Sequence, residues 1–243
     1  MSQVYYAILQ ERTGVGSDAA FSACLDLAMR AGHLGYARIN VGYTRVDVAR
    51  NRITQEFLRH SNEPGDVLIM LDGDHVHPRH TLERLAGYDE DVVAALAFRR
   101  CPPYDPQMYR YNERNELVQP SSWEKGLVPV DAFGMAAIAI KRRVFARLDE
   151  HGLTYPYFRF WYPRVPMDEQ IFPSEDVYFA LACRSAGIEC YVDTGLVSPH
   201  LTLSTVQEDS WHMWLADHPE LLAEEQRLDV PNDLRVKILG ERE

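Results

Sequence analysis

Asp66-Val67-Leu68-Ile69-Met70-Leu71-Asp72-Gly73-Asp74 is the stretch on which the architecture turns. Val67 to Leu71 is apolar without alternation. That is the pattern of a strand buried on both faces, at the centre of an α/β sheet. The run stops abruptly at an acidic triplet. Ligands of open α/β sheets bind beyond the C-terminal ends of the strands. Two carboxylates flanking a glycine can face one oxygen-seeking divalent cation and its phosphate ligands. Gly73 lets the backbone turn tightly and approach a ligand. As a bare string, Asp-Gly-Asp is also a common polar turn. Its place directly after a buried strand gives it weight.

Outward from this run, strand-like and helix-like segments alternate, which predicts an α/β fold. Residues 3–10 read as a strand, and Gly14 to Asp18 as a loop. A helix to about Arg30 carries Phe21, Leu25 and Met29 at i, i+4, i+8. Residues 36–42 suit a second strand. Thr44 and Asp47 resemble a capping box ahead of a helix to about His60 that buries Ala49, Ile53 and Phe57. Asn62 to Gly65 is a turn. Pro78 suits the first position of a helix through about Ala86, and Asp91 to Phe98 reads as another buried strand. Residues 99–128 are irregular. Pro129 to Ile140 regains strand character, followed by a helix to Leu148 and an aromatic, proline-rich loop over 152–173. Ser174 can cap a helix to about Ala186, with Gly187 as the residue past its end. Ile188 to Val192 is one more strand. The tail after Val206 is acidic and helical and carries Trp211 and Trp214.

The totals bound the function. At 243 residues and 46% hydrophobic, the chain can bury a sizeable core. The net charge of −11 disfavours non-specific nucleic-acid binding, which depends on neutralising phosphates. An acidic chain handling an anionic nucleotide needs local positive charge, from a divalent cation or from arginines. No apolar run approaches the roughly 20 residues that span a bilayer. Residues 1–10 read as a first strand rather than a signal peptide, so a cytoplasmic location is expected. Cys24, Cys101, Cys183 and Cys190 have neither zinc-site nor disulfide-framework spacing.

Four further groups carry candidate chemistry. Pro173-Ser174-Glu175-Asp176 opens a helix, and a carboxylate there can act as general base on an acceptor hydroxyl. Acids in a first helical turn also simply complement the macrodipole. His200, in Ser198-Pro199-His200, follows a strand and can join carboxylates on a metal. Arg50, in Arg50-Asn51-Arg52, and Arg12 can hold phosphate. The aromatics Tyr155 to Tyr162 can pack on a sugar ring or build a core or a lid.

In combination these residues resemble the GT-A fold glycosyltransferases, the family 2-like branch. The match lies in order: the strand ending at Asp72-Gly73-Asp74, Val130 to Met135 ahead of a strand and Lys141 to Phe145, then Ser174-Glu175-Asp176, Ala186-Gly187-Ile188, and His200. It covers roughly residues 3–203. The resemblance implies a Rossmann-like GT-A catalytic domain over 1–205 with a C-terminal helical extension over 206–243. Residues 1–100 would be its nucleotide-sugar half and 101–205 its acceptor half. It implies Asp74 as a metal ligand with His200, and Asp72 on the ribose or the metal. Asp176 would be the base of an inverting transfer, with Glu175 orienting it or binding acceptor. Gly73, Gly134 and Met135 would line the donor, with Gln10, Glu11 and Arg12 at the nucleobase. The implied cofactor is Mn2+ or Mg2+, and the donor a UDP-sugar ahead of a GDP-sugar. The acceptor would be a small molecule, glycan or protein, with a modified nucleic acid last. The Gln-x-x-Arg-Trp motif of processive polysaccharide synthases is missing. The tail tryptophans suit a lid or a homodimer contact.

Rival readings stay open at this level. His75, His77 and His80 form an H-x-H-x-x-H string that suits a zinc metallohydrolase, although Arg79 is hostile to a second metal. A nucleotidyltransferase would also use metal-binding acids, with Gly14-Val15-Gly16 as a weak phosphate loop. A binding module that keeps the fold without catalysis is the third.

Overall fold

The computed structural model describes residues 2–9, 18–160, 174–202, 205–217 and 227–228. In chain order the elements are β1 (Val4–Leu9), α1 (Asp18–Leu34), β2 (Ala37–Arg38), α2 (Val46–His60), β3 (Val67–Asp72), α3 (Thr81–Ala86) and β4 (Val92–Leu96). There follow β5 (Met108–Tyr111), β6 (Leu117–Val118), β7 (Leu127–Val130), β8 (Ala132–Phe133), β9 (Ala137–Lys141), α4 (Arg142–Glu150) and α5 (Glu175–Ser185). The last are β10 (Cys190–Val197), β11 (His200–Leu201), β12 (Thr205–Val206), α6 (Glu208–Asp217) and β13 (Arg227–Leu228).

A seven-stranded sheet of order β2-β1-β3-β9-β4-β10-β7 forms the centre. β2, β1, β3, β4 and β10 run one way; β9 and β7 run against them. The sheet is therefore largely parallel, with the antiparallel β9 lodged between β3 and β4. The apolar run reads correctly as a central strand, because Val67 to Leu71 are all buried. Alternate residues feed two cores. Leu68, Met70, Val92, Ala94, Ile138 and Ile140 face one side, with Phe57, Phe145 and Phe179 from α2, α4 and α5. Val67, Ile69, Leu71, Val93, Ala95, Ala137 and Ala139 face the other, with Leu27 and Ala31 from α1 and Leu82 and Leu85 from α3. Layers of helix, sheet and helix result. Phe179 is fully buried and stacks on Phe158 at 4.6 Å. Truncating such a ring to alanine costs roughly 3–5 kcal/mol. A second sheet, β13-β6-β5-β8, lies beside the main one.

Several expectations need correction. Pro129 to Ile140 is not one strand but β7, β8 and β9, because Gly134 to Ala136 break pairing between two sheets. Thr44 caps nothing described at α2: the cap residue is Arg45, and Asp47 pairs with the Arg45 guanidinium at 2.5 and 2.7 Å. α3 starts at Thr81, whose N–H and hydroxyl both donate to the Pro78 carbonyl. Ser174 precedes α5, but its hydroxyl bonds the Asp176 carboxylate rather than a backbone amide. Gly187 does follow α5 with φ +64°, a left-handed conformation that glycine tolerates.

The α1 stripe faces outward. Phe21, Leu25 and Met29 are 69%, 50% and 60% exposed, while Ala20, Leu27 and Ala31 pack inward. The tail behaves in the opposite way. Trp211 is buried against Phe98 and stacks on Trp123 at 5.1 Å, and Trp214 is half-buried, so the pair is no exposed contact patch. Among the described residues no helix is long and apolar enough to cross a membrane.

Candidate metal centre and catalytic cleft

The triplet leaves β3 with its backbone held on both sides. The Asp72 amide donates to the Ala136 carbonyl at 2.7 Å, and the Gly73 amide to the Leu9 carbonyl at 2.9 Å. The next residues pair with the segment beyond β10. Leu201 N–H donates to the Asp74 carbonyl, Val76 N–H to the Pro199 carbonyl, and His75 bridges His200 antiparallel. This short ladder brings together residues 126 positions apart. β12 extends it, since Val206 pairs with His200. The start of the tail thus braces the histidine strand.

Asp74, His75 and His200 form a cluster in which one ligand atom from each lies within 4.8 Å of the others. Asp74 Oδ1 is 2.8 Å from His75 Nδ1, and Oδ2 is 3.0 Å from His200 Nε2. The two imidazoles stack at 4.0 Å. His200 Nδ1 lies 3.1 Å from the Phe98 carbonyl, an acceptor that needs a ring N–H. The other ring nitrogen, Nε2, faces Asp74. Backbone-oriented imidazoles of this kind are the usual metal ligands. The donor set, one carboxylate and two imidazoles, fits a divalent transition cation. Arg100 Nη2 also reaches Asp74 Oδ2, at 2.9 Å, from a half-exposed side chain.

Burial raises the Asp74 carboxyl, yet the hydrogen bonds and charges of His200 and His75 override it and hold it well below the usual range. His75 is pushed down to about 4, first by burial and then by His200, against the pull of Asp74. A His75 imidazole that resists protonation keeps its lone pair available to a cation.

The other triplet carboxylate belongs elsewhere. Asp72 takes Arg50 Nη2 at 3.0 and 3.1 Å. Arg50 is almost fully buried on α2; its Nη1 donates to the Met135 carbonyl, and its Nε stands 3.2 Å from Glu175 Oε1 without a hydrogen bond. One guanidinium thus bridges β3, the stretch before β9 and the start of α5. Burial works against its charge, but Asp72, Glu175 and Asp176 hold it more firmly protonated than usual. Burial pushes Asp72 up to about 8, moderated by Arg50 and reinforced by Asp74, Glu175 and Asp176. Glu175 rises to about 7, from burial and the neighbouring Asp176, again moderated by Arg50.

A cleft of about 180 Å³ lies between the two clusters. Asp72, His75, His200 and Asp176 contribute to it, with Arg99, Arg100, Gln107, Gly134 and Met135. At this size it accommodates a sugar ring or a phosphate group rather than a whole nucleotide, because drug-sized ligands fill roughly 300–1,000 Å³. Gly134 is needed where it stands: a Cβ there would come 2.7 Å from Gln107 Cβ. Gln107 Nε2 is buried there without a hydrogen-bond partner.

The structure therefore lines one cleft with His200, Asp176, Asp72, Gly134 and Met135; Asp74 is joined to its His75 and His200 wall, and Gly73 lies in the turn after β3. It keeps Asp72 on Arg50, apart from the metal cluster, and turns Arg50 and Glu175 into the interior. His75 joins Asp74 and His200 rather than His77 and His80. His77 is fixed between the Asp72 carbonyl at 2.8 Å and the Ser198 hydroxyl at 3.1 Å, and burial pushes it down to about 3. His80 is exposed at the start of α3. The H-x-H-x-x-H zinc set is thus not assembled. Of the aromatic stretch, Tyr157 and Phe158 belong to the core and Tyr155 is exposed. Gln10, Glu11, Arg12, the Gly14–Gly16 segment, Trp161 and Tyr162 lie outside the described residues. Arg99, Arg100 and Gln107 were not singled out from the sequence. They sit in the irregular 99–128 region, where no periodicity points to a cleft.

No protein-family model and no curated protein matches the sequence. Among solved structures, A197 from STIV aligns over 83% of this chain and 86% of its own, at 19% identity and a TM-score of 0.49. The catalytic domain of Drosophila beta1,4galactosyltransferase 7, in complex with xylobiose, aligns over 81% and 66%, at 11% identity and a TM-score of 0.41. The inositol-1-phosphate CTP transferase from T. maritima aligns over 88% and 95%, at 12% identity and a TM-score of 0.43. At these values any statement of activity rests on the site itself.

Proposed function

We propose that the chain is a metal-dependent glycosyltransferase that moves a sugar from a nucleotide-sugar to an acceptor hydroxyl. One observation carries this reading: Asp74, His75 and His200 form a cation-binding set on the same cleft as the Asp176 carboxylate. Cleft and cluster lie beyond the C-terminal ends of parallel strands, where α/β sheets bind ligands.

Asp74, His75 and His200 would hold the cation. When bound, it would neutralise a diphosphate leaving group. Two imidazoles in the set favour Mn2+ over Mg2+, which prefers oxygen ligands. Asp176 accepts the proton of the acceptor hydroxyl. The acceptor oxygen then bonds to the anomeric carbon as the bond from that carbon to the phosphate oxygen breaks. The nucleoside diphosphate leaves with the electron pair, and a single displacement inverts the anomeric centre. Asp72, with its carboxylate oriented by Arg50, offers an acceptor to the donor's ribose. Arg99 and Arg100 add positive charge to the cleft wall. UDP-sugars are the first donors to try and GDP-sugars the second. Residues 1–205 are assigned to catalysis, with the start of the remaining tail bracing His200.

The test is a thermal-shift screen of nucleotides and nucleotide-sugars with Mn2+ or Mg2+, followed by product analysis. A ligand raises the melting temperature according to RT ln(1 + [L]/Kd). Nucleoside diphosphate release from a nucleotide-sugar, with a Mn2+-dependent shift lost in Asp74→Ala, is the expected result. Pyrophosphate release from a nucleoside triphosphate would make the chain a nucleotidyltransferase instead. No shift with any nucleotide and metal would remove both readings.

A further inference from the structure

The chain after His200 is the part of the molecule that the proposed reaction leaves without a task. β12 and α6 turn back toward the metal cluster. Thr205 and Val206 pair with Leu201 and His200. Val206, Trp211 and Leu215 are buried and belong to the same core as Phe98. The Trp211 ring stands 6.3 Å from the Phe98 ring and stacks on Trp123 at 5.1 Å, and Trp123 stands 6.4 Å from Phe98. A partly exposed ion pair, Lys125 with Glu208 at 2.6 Å, ties α6 to the segment that carries Trp123. Phe98 connects this packing to the cluster. It lies two residues past β4 and has an isolated bridge to Pro106. Its ring is fully buried beside the two tryptophans, and its carbonyl takes His200 Nδ1 at 3.1 Å. That contact sets which way the imidazole turns, with Nε2 3.0 Å from Asp74 Oδ2.

We infer that Trp211 is a positioning residue for the metal centre: packed on Phe98, it fixes the carbonyl that orients His200, so that docking of α6 and binding of the cation are coupled. The inference rests on the metal reading proposed above and adds the residue that prepares His200 for it. Trp211 is not among the residues that line the cleft, and it acts through Phe98. Losing a partner that orients a metal-bound imidazole weakens metal binding about 10–100-fold. Here that partner is a backbone carbonyl, which no side-chain substitution removes, so the ring packed against Phe98 is the part that substitution can change. Such coupling is reciprocal. If docked α6 favours the cation, the cation favours docked α6 by the same factor.

The test titrates Mn2+ alone into the full chain by calorimetry, well below the melting temperature of each variant. Trp211→Ala should weaken Mn2+ binding about tenfold or more. Trp211→Phe, which keeps an aromatic ring against Phe98, should recover most of that loss. Phe145→Leu thins the same core from α4, among Phe57, Tyr157 and Phe179. It should lower the melting temperature and leave Mn2+ affinity unchanged. Hydrogen exchange read by mass spectrometry gives the reverse direction in the wild-type chain, whether or not Trp211→Ala folds. Saturating Mn2+ should slow exchange over residues 211–215 about tenfold, the same factor. Equal Mn2+ affinity in Trp211→Ala and wild type overturns the inference. So does α6 exchange that Mn2+ leaves unaltered, or a loss of affinity in Phe145→Leu as large as in Trp211→Ala. A wild-type chain that binds no Mn2+ overturns the metal reading itself, an outcome distinct from failure of the Trp211 role alone.

Discussion

The two carboxylates of one triplet, a single glycine apart, enter two clusters that differ in kind. Asp72 joins Arg50 and Glu175, where a buried guanidinium supplies the counter-charge from within the protein. Asp74 joins His75 and His200, and its counter-charge comes from the half-exposed Arg100. The first cluster is closed: its cation is itself almost fully buried and cannot leave without stranding the buried Glu175 and the partly exposed Asp72. The second opens on one side: Asp74 and His75 are buried, and Arg100 reaches Asp74 from a half-exposed position on the cleft wall. A closed charge cluster is scaffold, and an open one is a place for a ligand. The Asp-Gly-Asp string reads as one site, yet the fold divides its labour.

The largest expected effect tests the closed cluster. Arg50→Met should destabilise the fold by about 4 kcal/mol, the cost of unpairing buried charge. Urea denaturation in the presence of a chelator measures it. Asp74→Ala should cost less, about 1–3 kcal/mol in the same assay, because it removes a buried acceptor from His75, His200 and Arg100, and it should abolish the Mn2+-dependent thermal shift. Equal losses of stability would erase the distinction between the clusters. Next is the reaction itself. Asp176→Asn should slow turnover at least about 10²-fold while leaving the Mn2+ shift in place. Loss of the shift as well would make Asp176 part of the metal site rather than the base. A smaller effect separates the histidines. His75→Asn should weaken Mn2+ binding roughly tenfold or more, whereas His77→Asn should mainly reduce stability by about 1 kcal/mol, because His77 bonds the Asp72 carbonyl and Ser198. Calorimetric titration with Mn2+ reads the first and urea midpoints the second.

These contrasts bear on how far the sequence could be read. The buried strand, the acidic triplet at its end and the acids at the start of α5 are local features, and each is legible in order. What joins them is not local. His75 stacks on His200 across 125 positions through a ladder formed only after β10 has passed β4. The adjacent His77 and His80 made His75 look like part of a zinc string. The place of β9 between β3 and β4 is a non-local pairing that no period encodes. In α1 the 3.6-residue period correctly marks an amphipathic helix, but period alone does not say which face meets the sheet. Leu27 and Ala31 of α1 share a core with Ala95, Ala137 and Ala139 of the sheet. Trp211 shows the reverse case: a tail aromatic that looked available is enclosed by Phe98 and Trp123.

The smallest effect, and the sharpest test of the division, is the pH dependence of stability. Asp72 and Glu175 are raised to about 8 and about 7. The folded state keeps protons there that the unfolded chain has released, so this stability is lost as pH rises through those values. His75 and His77 are lowered to about 4 and about 3. The unfolded chain takes up protons that these buried rings refuse, so their contribution grows with pH and is complete just above about 6.5. Below that pH the two trends oppose one another; above it only the carboxyls act. Stability in chelator should therefore fall by about 1–2 kcal/mol between roughly pH 6.5 and 8.5, within the limit of about 1.4 kcal/mol per pH unit per proton. Glu175→Gln should flatten the fall by about a third, and His77→Asn should leave it unchanged. Saturating Mn2+ should lift the whole curve and flatten it slightly, because the cation cancels the Asp74 charge that helps raise Asp72, while burial, the larger cause, is untouched. Complete loss of the slope on adding Mn2+ would mean that Asp72 shares the metal after all, and that the triplet acts as a single site.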